Sequence, residues 1–188
     1  MGAGKGRSVL GSLTNLAQTK RLIIRAPQVG DFQGIAALWT DPEVTKYVGG
    51  PREVSALCDH FEQYAADPER FFAQEHECWW SVIDLSSRAF AGLCALIWKD
   101  VEGRTETELG YFLFRQFWGR GYAGEAVRAV ISYAFGGLGL PSLVAIIHPD
   151  NKASRAVAKR LGMHLEQEVL RPDGVVRQVY RLYSPDHQ

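Results

Sequence analysis

Apolar and polar positions follow two rhythms along this chain, and the switches between them mark its elements. Arg21-Leu-Ile-Ile-Arg25 is a short β-favouring run closed by Pro27, which predicts a first strand. Residues 29–39, ending on Leu38 and Trp39, read as a helix. Asp41-Pro42 then opens a second short helix that runs through Val48 and stops at Gly49-Gly50-Pro51. Over 52–66 the residues Val54, Leu57, Cys58, Phe61 and Tyr64 recur at helical spacing and predict an amphipathic helix. Strand-like runs follow at 78–85, 89–98 and 105–114, separated by the polar turns Ser86-Ser87-Arg88 and 100–103. Three strands joined by tight turns predict an antiparallel meander.

The rhythm then returns to a helical one. Ala123, Ala126, Val127, Val130, Ile131, Ala134, Phe135 and Leu138 form one stripe of a helix beginning near Tyr122. Gly136, Gly137, Gly139 and Pro141 end it. Residues 143–147 read as a buried strand, and Asn151 begins a helix that ends at Leu161-Gly162. Segments 163–170 and 175–183 read as a closing hairpin turned by Pro172-Asp173-Gly174. The expected order is β-α-α-α-β-β-β-α-β-α-β-β, an α+β (mixed α/β) single domain over residues 20–184 with no internal repeat.

Composition narrows the classes. With 188 residues, 46% hydrophobic and 22% charged, the chain suits one globular domain. Lys+Arg and Asp+Glu are both 21, so no global field pulls on nucleic acid or an anionic membrane, and neither is expected as a partner. Cys58, Cys78 and Cys94 are odd in number and widely spaced, without C-x-x-C. They outline neither a disulfide framework nor a metal site, and read as reduced, mostly buried thiols of a cytoplasmic protein. Residues 1–19 read as a flexible leader: they have no continuous apolar stretch of signal-peptide length, and Gly6 breaks a myristoylation motif. Its GAGKGRS run lacks the G-K-S/T of a phosphate loop. No stretch approaches the ~18 apolar residues of a transmembrane helix.

The chemistry-bearing stretch is Phe117-Trp-Gly-Arg-Gly-Tyr-Ala-Gly124, which contains G-x-G-x-x-G. In a dinucleotide-binding unit that loop follows the first strand of a βαβ series. Here it follows a long antiparallel and helical region, and only one βα pair comes after it. An NAD(P)-binding oxidoreductase is therefore the weakest of three readings. The loop physics stands regardless. Gly119 and Gly121 permit positive φ and lack the Cβ atoms that would fend off an anion. A helix starting near Tyr122 aims its free N–H groups at that anion, and a diphosphate is the natural guest.

Gln116-x-x-Gly119-x-Gly121-Tyr122-Ala123-x-Glu125-Ala126 resembles the Q/R-x-x-G-x-G/A motif of the GNAT superfamily of N-acetyltransferases. Asn151-Lys-Ala-Ser154 with Lys159-Arg-Leu-Gly162 resembles its N-x-x-S…K-L-G-F segment, and Glu108-Leu-Gly-Tyr111 resembles the E-L/I-G-Y strand that carries its bulge. Thr19-Lys-Arg-Leu-Ile-Ile-Arg25 and Asp41-Pro-Glu-Val44 look like the branch of ribosomal-protein N-terminal acetyltransferases.

The resemblance implies a sheet splayed near its middle, with acetyl-CoA as cosubstrate between two parallel strands and no metal. It assigns the cofactor to Gln116, Phe117, Trp118, Gly119, Arg120, Gly121, Tyr122, Ala123, Asn151 and Ser154. The implied reaction is direct attack of a primary amine on the thioester. Glu108 is the candidate base and Ser154 the candidate acid, with a solvent-facing glutamate and a plain first-turn serine as the bland alternatives.

Many relatives carry a Tyr acid where this chain has Ala158, and Met163 replaces a Phe. Arg120, Lys152 and Arg155 have the reach for phosphates but are read first as solvated charges, and His148 and His164 as core or surface filler. Trp39, Tyr47, Trp79, Trp80 and Trp98 are read as mostly core, and the resemblance also puts Trp39 and Tyr47 where the family's acceptor-site wall would be. The acceptor, a protein N-terminus or a small-molecule amine, is left open, as is a monomer or homodimer. A non-catalytic acyl-CoA-binding module on the same fold is the second reading.

Overall fold

The computed structural model describes residues 13–171 and 174–187. Strand β1 (Asn15–Gln18) turns back into β2 (Leu22–Arg25), and four helices follow: α1 (Phe32–Thr40), α2 (Pro42–Thr45), α3 (Val54–Ala66) and α4 (Pro68–Glu75). The meander β3 (Glu77–Asp84), β4 (Phe90–Val101) and β5 (Arg104–Leu113) leads through a 3-10 turn into α5 (Tyr122–Gly136). Strand β6 (Ser142–Ile147), helix α6 (Lys152–Arg160) and the hairpin β7 (His164–Leu170) and β8 (Val176–Tyr183) complete the chain.

Two elements lie outside the expected order. The first, β1, falls within the stretch read as a flexible leader; residues 1–12 of that stretch are outside the described residues. Only Leu16 of β1 is buried, so its strand character comes from the ladder to β2 and not from its own pattern. The second, α4, opens on Asp67-Pro68, where the Asp67 side chain accepts from Arg70 N at 3.0 Å. Asp41-Pro42 starts α2 by the same device, with Asp41 accepting from Glu43 N at 2.8 Å. The signal for α4 was therefore present in the sequence. The Pro172-Asp173 part of the expected turn lies outside the described residues.

Among the described residues, eight strands join one sheet in the order β1-β2-β3-β4-β5-β6-β8-β7. Every neighbouring pair is antiparallel except β5 and β6, which are parallel. That single parallel step rules out the doubly wound sheet of a dinucleotide-binding domain. Strand β5 pairs with β4 in unbroken register from Arg104 to Leu113, so the bulge expected in Glu108-Leu-Gly-Tyr111 is absent.

Alternation sorts the side chains onto two faces. On one face Leu109 and Leu113 of β5 pack with Ala126, Val127 and Val130 of α5, and Ala145 and Ile147 of β6 pack with Ala158 of α6. On the other, Leu93 and Ala95 of β4 and half-buried Phe112 of β5 meet Ile35, Leu38 and Trp39 of α1 and Phe61 of α3. Each fully buried aliphatic or aromatic side chain there contributes about 1.5–3 kcal/mol. One charged tie crosses this second layer: Arg25 and Asp31 are 2.7 Å apart, and Ser81 Oγ donates to Asp31 at 2.8 Å. Trp79 and Trp80 are core residues and Trp98 packs against core, as expected.

Candidate active site

The site grows out of the one parallel step. Glu108 and Val144 are the single registered pair between β5 and β6; beyond it β5 continues to Leu113 and β6 to Ile147 without pairing. The right-handed twist of the two halves opens a wedge there, and backbone N–H and C=O groups of β5 line one side of it.

At the end of β5 the chain turns through Arg115–Phe117 into the glycine loop. Phe117 N donates to Phe114 O and Trp118 N to Arg115 O, so these two expected cradle donors are already engaged within the turn. Their side chains are structural as well. Phe117 is buried against the Tyr122 ring at 5.4 Å, and Trp118 Nε1 donates to Leu113 O at 2.7 Å. Gly119 and Gly121 take φ of +70° and +79°, which turns the following N–H groups outward. Among the described residues no protein acceptor meets the N–H groups of residues 119–124. A Cβ at Gly119 would meet nothing within 4 Å, so an anion has room to approach the backbone. Free donors, the α5 dipole and open space together fit a diphosphate.

Contacts that no local pattern announces hold the loop in place. Glu125, in the first turn of α5, accepts from Thr19 Oγ1 at 2.6 Å and from Arg21 N at 2.9 Å, and Arg21 pairs with it at 2.7 Å. The same guanidinium donates to Arg120 O at 2.8 Å and lies over the Tyr122 ring. Tyr122 Oη donates to Asp84 at 2.5 Å. Hydrogen bonds from Ser86, Tyr122 and Ser87 hold the Asp84 carboxyl well below the usual range, and the accepted bond pushes the Tyr122 phenol up. Glu125 and Tyr122 therefore brace the loop through their side chains, while Arg120 contributes its carbonyl and an exposed guanidinium over Tyr122. Gln116 and Arg120 are exposed, and Ala123 is half-buried in the first turn of α5.

Glu108 leaves β5 on the face of Phe112 and Ile97. Its side chain is largely buried, with Lys99 Nζ 2.5 Å from Oε2, although no aligned hydrogen bond reaches that oxygen. Its neighbour Glu106 is bound to Arg181 at 2.7 Å, and Arg181 also pairs with Glu166 at 2.9 Å. Those carboxylates raise the Arg181 pKa and remove Glu106 as a rival base. The solvent-facing alternative for Glu108 does not hold, because a cation covers it.

Asn151 caps α6, its side chain accepting from Ser154 N at 3.1 Å. Ser154 is half-buried on α6, on the opposite face of the sheet from Glu108. The two candidate catalytic groups thus approach the wedge from opposite sides. The Tyr47 and His148 rings lie 5.1 Å apart in a tilted contact that bridges the segment after α2 to the end of β6. Trp39 is buried against Phe112 at 4.5 Å and belongs to the core behind the site. Arg155, expected as a solvated charge, instead donates to Pro149 O at 3.0 Å. His164 stacks on Tyr183. Among the described residues no three His, Cys, Asp or Glu side chains cluster as metal ligands, and no helix is long and apolar enough to cross a membrane.

A sheet parted at one parallel step, with an anion-ready loop at the parting, fits a protein that takes a diphosphate-bearing ligand at the strand gap. The chain belongs to the GNAT acetyltransferase family: residues 21–164 match the model of the acetyltransferase (GNAT) domain. It is 31% identical over 156 residues to the uncharacterized N-acetyltransferase p20 of Bacillus licheniformis, covering 79% of this chain and 82% of that one. Its fold matches the crystal structure of the acetyltransferase from Agrobacterium tumefaciens str. C58 with TM-score 0.75 and 28% identity, over 96% of this chain and 100% of that one. The ribosomal-protein-S5-alanine acetyltransferase from Vibrio fischeri shares the fold at TM-score 0.73 and 17% identity, over 92% and 98% of the two chains.

Proposed function

We propose that this protein transfers an acetyl group from acetyl-CoA to a primary amine by direct attack within a ternary complex. The observation that carries the reading is the placement of Glu108 and Ser154 on opposite faces of the wedge. An amine reaching the wedge from the Glu108 face and a thioester reaching it from the α5–α6 face would meet at the strand gap.

The chain's own groups divide the work. N–H groups of 119–124, with Gln116 and Arg120 beside them, would hold the diphosphate. Asn151 orders the first turn of α6 and keeps Ser154 Oγ available. Glu108 would take the proton that the attacking nitrogen loses, and Ser154 would supply one to the departing sulfur. A lysine-like amine costs roughly 4.6 kcal/mol to deprotonate at pH 7, whereas an α-amine costs only about 1.4 kcal/mol. A single carboxylate already shared with Lys99 suits the second demand better, which favours α-amines, including a protein N-terminus, as acceptors.

The Lys99–Glu108 pair is also what a non-catalytic acyl-CoA-binding module on this fold would show. Calorimetric titration with acetyl-CoA, with NADH as control, followed by thiol release against a panel of α-amines, separates the readings. Micromolar acetyl-CoA binding with amine-dependent thiol release supports the transferase. Binding without release under any amine supports the module, and no binding overturns both.

A further inference from the structure

Tyr111 is a titratable side chain on the parted stretch of β5 that neither the cradle nor the proposed acid and base employ. It leaves β5 three residues past Glu108, on the opposite face, in the part of the strand that has parted from β6. Its hydroxyl is fully buried, yet no aligned hydrogen bond reaches it. Burial pushes the phenol up to about 12, and the Ser154 hydroxyl close by opposes that rise. Ser154 has its backbone N–H taken by Asn151, so its Oγ is not needed as a cap.

An unpartnered buried hydroxyl costs about 1–3 kcal/mol, so the position calls for a partner, and the Ser154 hydroxyl is the one beside it. We propose that Tyr111 and Ser154 act as one hydroxyl pair, Tyr111 donating to Ser154 Oγ and thereby holding Ser154 to protonate the leaving sulfur. The inference rests on the transferase reading above. In the step, the amine nitrogen forms a bond to the acyl carbon and the carbon–sulfur bond breaks. The sulfur takes the Ser154 proton, and Ser154 regains one from the proton that the nitrogen released, passed through Glu108 and solvent. Tyr111 keeps its own proton throughout and stabilises the charge that builds on Ser154 Oγ, which makes it a positioning residue.

The test is a double-mutant cycle with Tyr111→Phe and Ser154→Ala, read in three ways. Each single variant is expected to lower kcat at least tenfold while the acetyl-CoA Kd stays within twofold. The double variant is expected to match the singles, because the two hydroxyls work as a unit. A third reading needs no turnover: the thiol of bound CoA, followed by thiolate ultraviolet absorbance, should titrate at higher pH in both variants. A packing role for Tyr111 would leave that titration unmoved and make the two effects multiply. Either of those results, or a Tyr111→Phe kcat within twofold of wild type, overturns the pair. Tyr111→Phe keeps the ring and its packing and removes only the hydroxyl, so the variant is expected to fold with a melting temperature near wild type. Should the wild type bind no acetyl-CoA, the transferase reading fails first; should it bind and turn over with the pair uncoupled, only this inference fails.

Discussion

Lys99 holds its ammonium 2.5 Å from Glu108 Oε2, across the β4–β5 ladder and on the face opposite Ser154. The arrangement places a competing cation on the candidate base. Lys99 is 40% exposed at its side chain, so the pair is worth no more than about 1 kcal/mol.

Replacing Lys99 with Met should therefore free Glu108 for the acceptor. The expected outcome is a fall of up to about fivefold in the amine KM, with kcat within twofold of wild type and less sensitivity of KM to salt. Glu108→Gln should lower kcat by about 10²-fold or more at neutral pH without changing the acetyl-CoA Kd. Steady-state kinetics with an α-amine acceptor check both.

Gly119→Glu probes the anion cradle better than any change at Gly121. A Cβ at Gly119 meets open space, whereas at Gly121 it would lie 3.4 Å from Arg21 Nη2. The positive φ costs about 1 kcal/mol with any side chain, so the variant should still fold. A carboxylate beside the free N–H groups should weaken acetyl-CoA binding at least tenfold, about 1.4 kcal/mol, read by titration calorimetry.

Asp31 should contribute to the acid limb of stability. Burial alone would raise its pKa, but the Arg25, Gln28 and Ser81 hydrogen bonds outweigh that and hold it below the ordinary 3.8. A depressed folded-state value means that the stabilisation is complete above the ordinary carboxyl range and is lost as pH falls through the lower value. Asp31→Asn should therefore cost roughly 3 kcal/mol at pH 7 and flatten the loss of stability below pH ~4. Urea unfolding across that range measures it.

Native thiol reactivity should be confined to Cys58. Cys78 and Cys94 are buried, and desolvation pushes both thiols up to about 12, whereas Cys58 is half-exposed on α3. A thiol-specific disulfide reagent should titrate one cysteine in the folded protein and three in denaturant.

Most of the elements were legible from periodicity, because the stripe of α5 and the alternation of β3 to β5 are local patterns with strong burial behind them. The glycine loop was legible too, since positive φ at residues 119 and 121 demands a residue type that shows in the sequence. The cap at Asn151 was equally local, a side chain meeting a backbone N–H three residues on. What escaped was long-range. Strand β1 exists through its ladder to β2, with only Leu16 buried and no pattern of its own. The brace from Arg21 to Glu125 spans 104 residues, and the contact of Ser81 with Asp31 spans 50. Pairing of Lys99 with Glu108, and the nearness of Tyr111 to Ser154, follow from which strands are neighbours and which face each side chain takes. A one-dimensional pattern records how each segment buries itself, but charges and hydroxyls act through space. Their partners exist only once the sheet has set its strand order and parted at Glu108 and Val144.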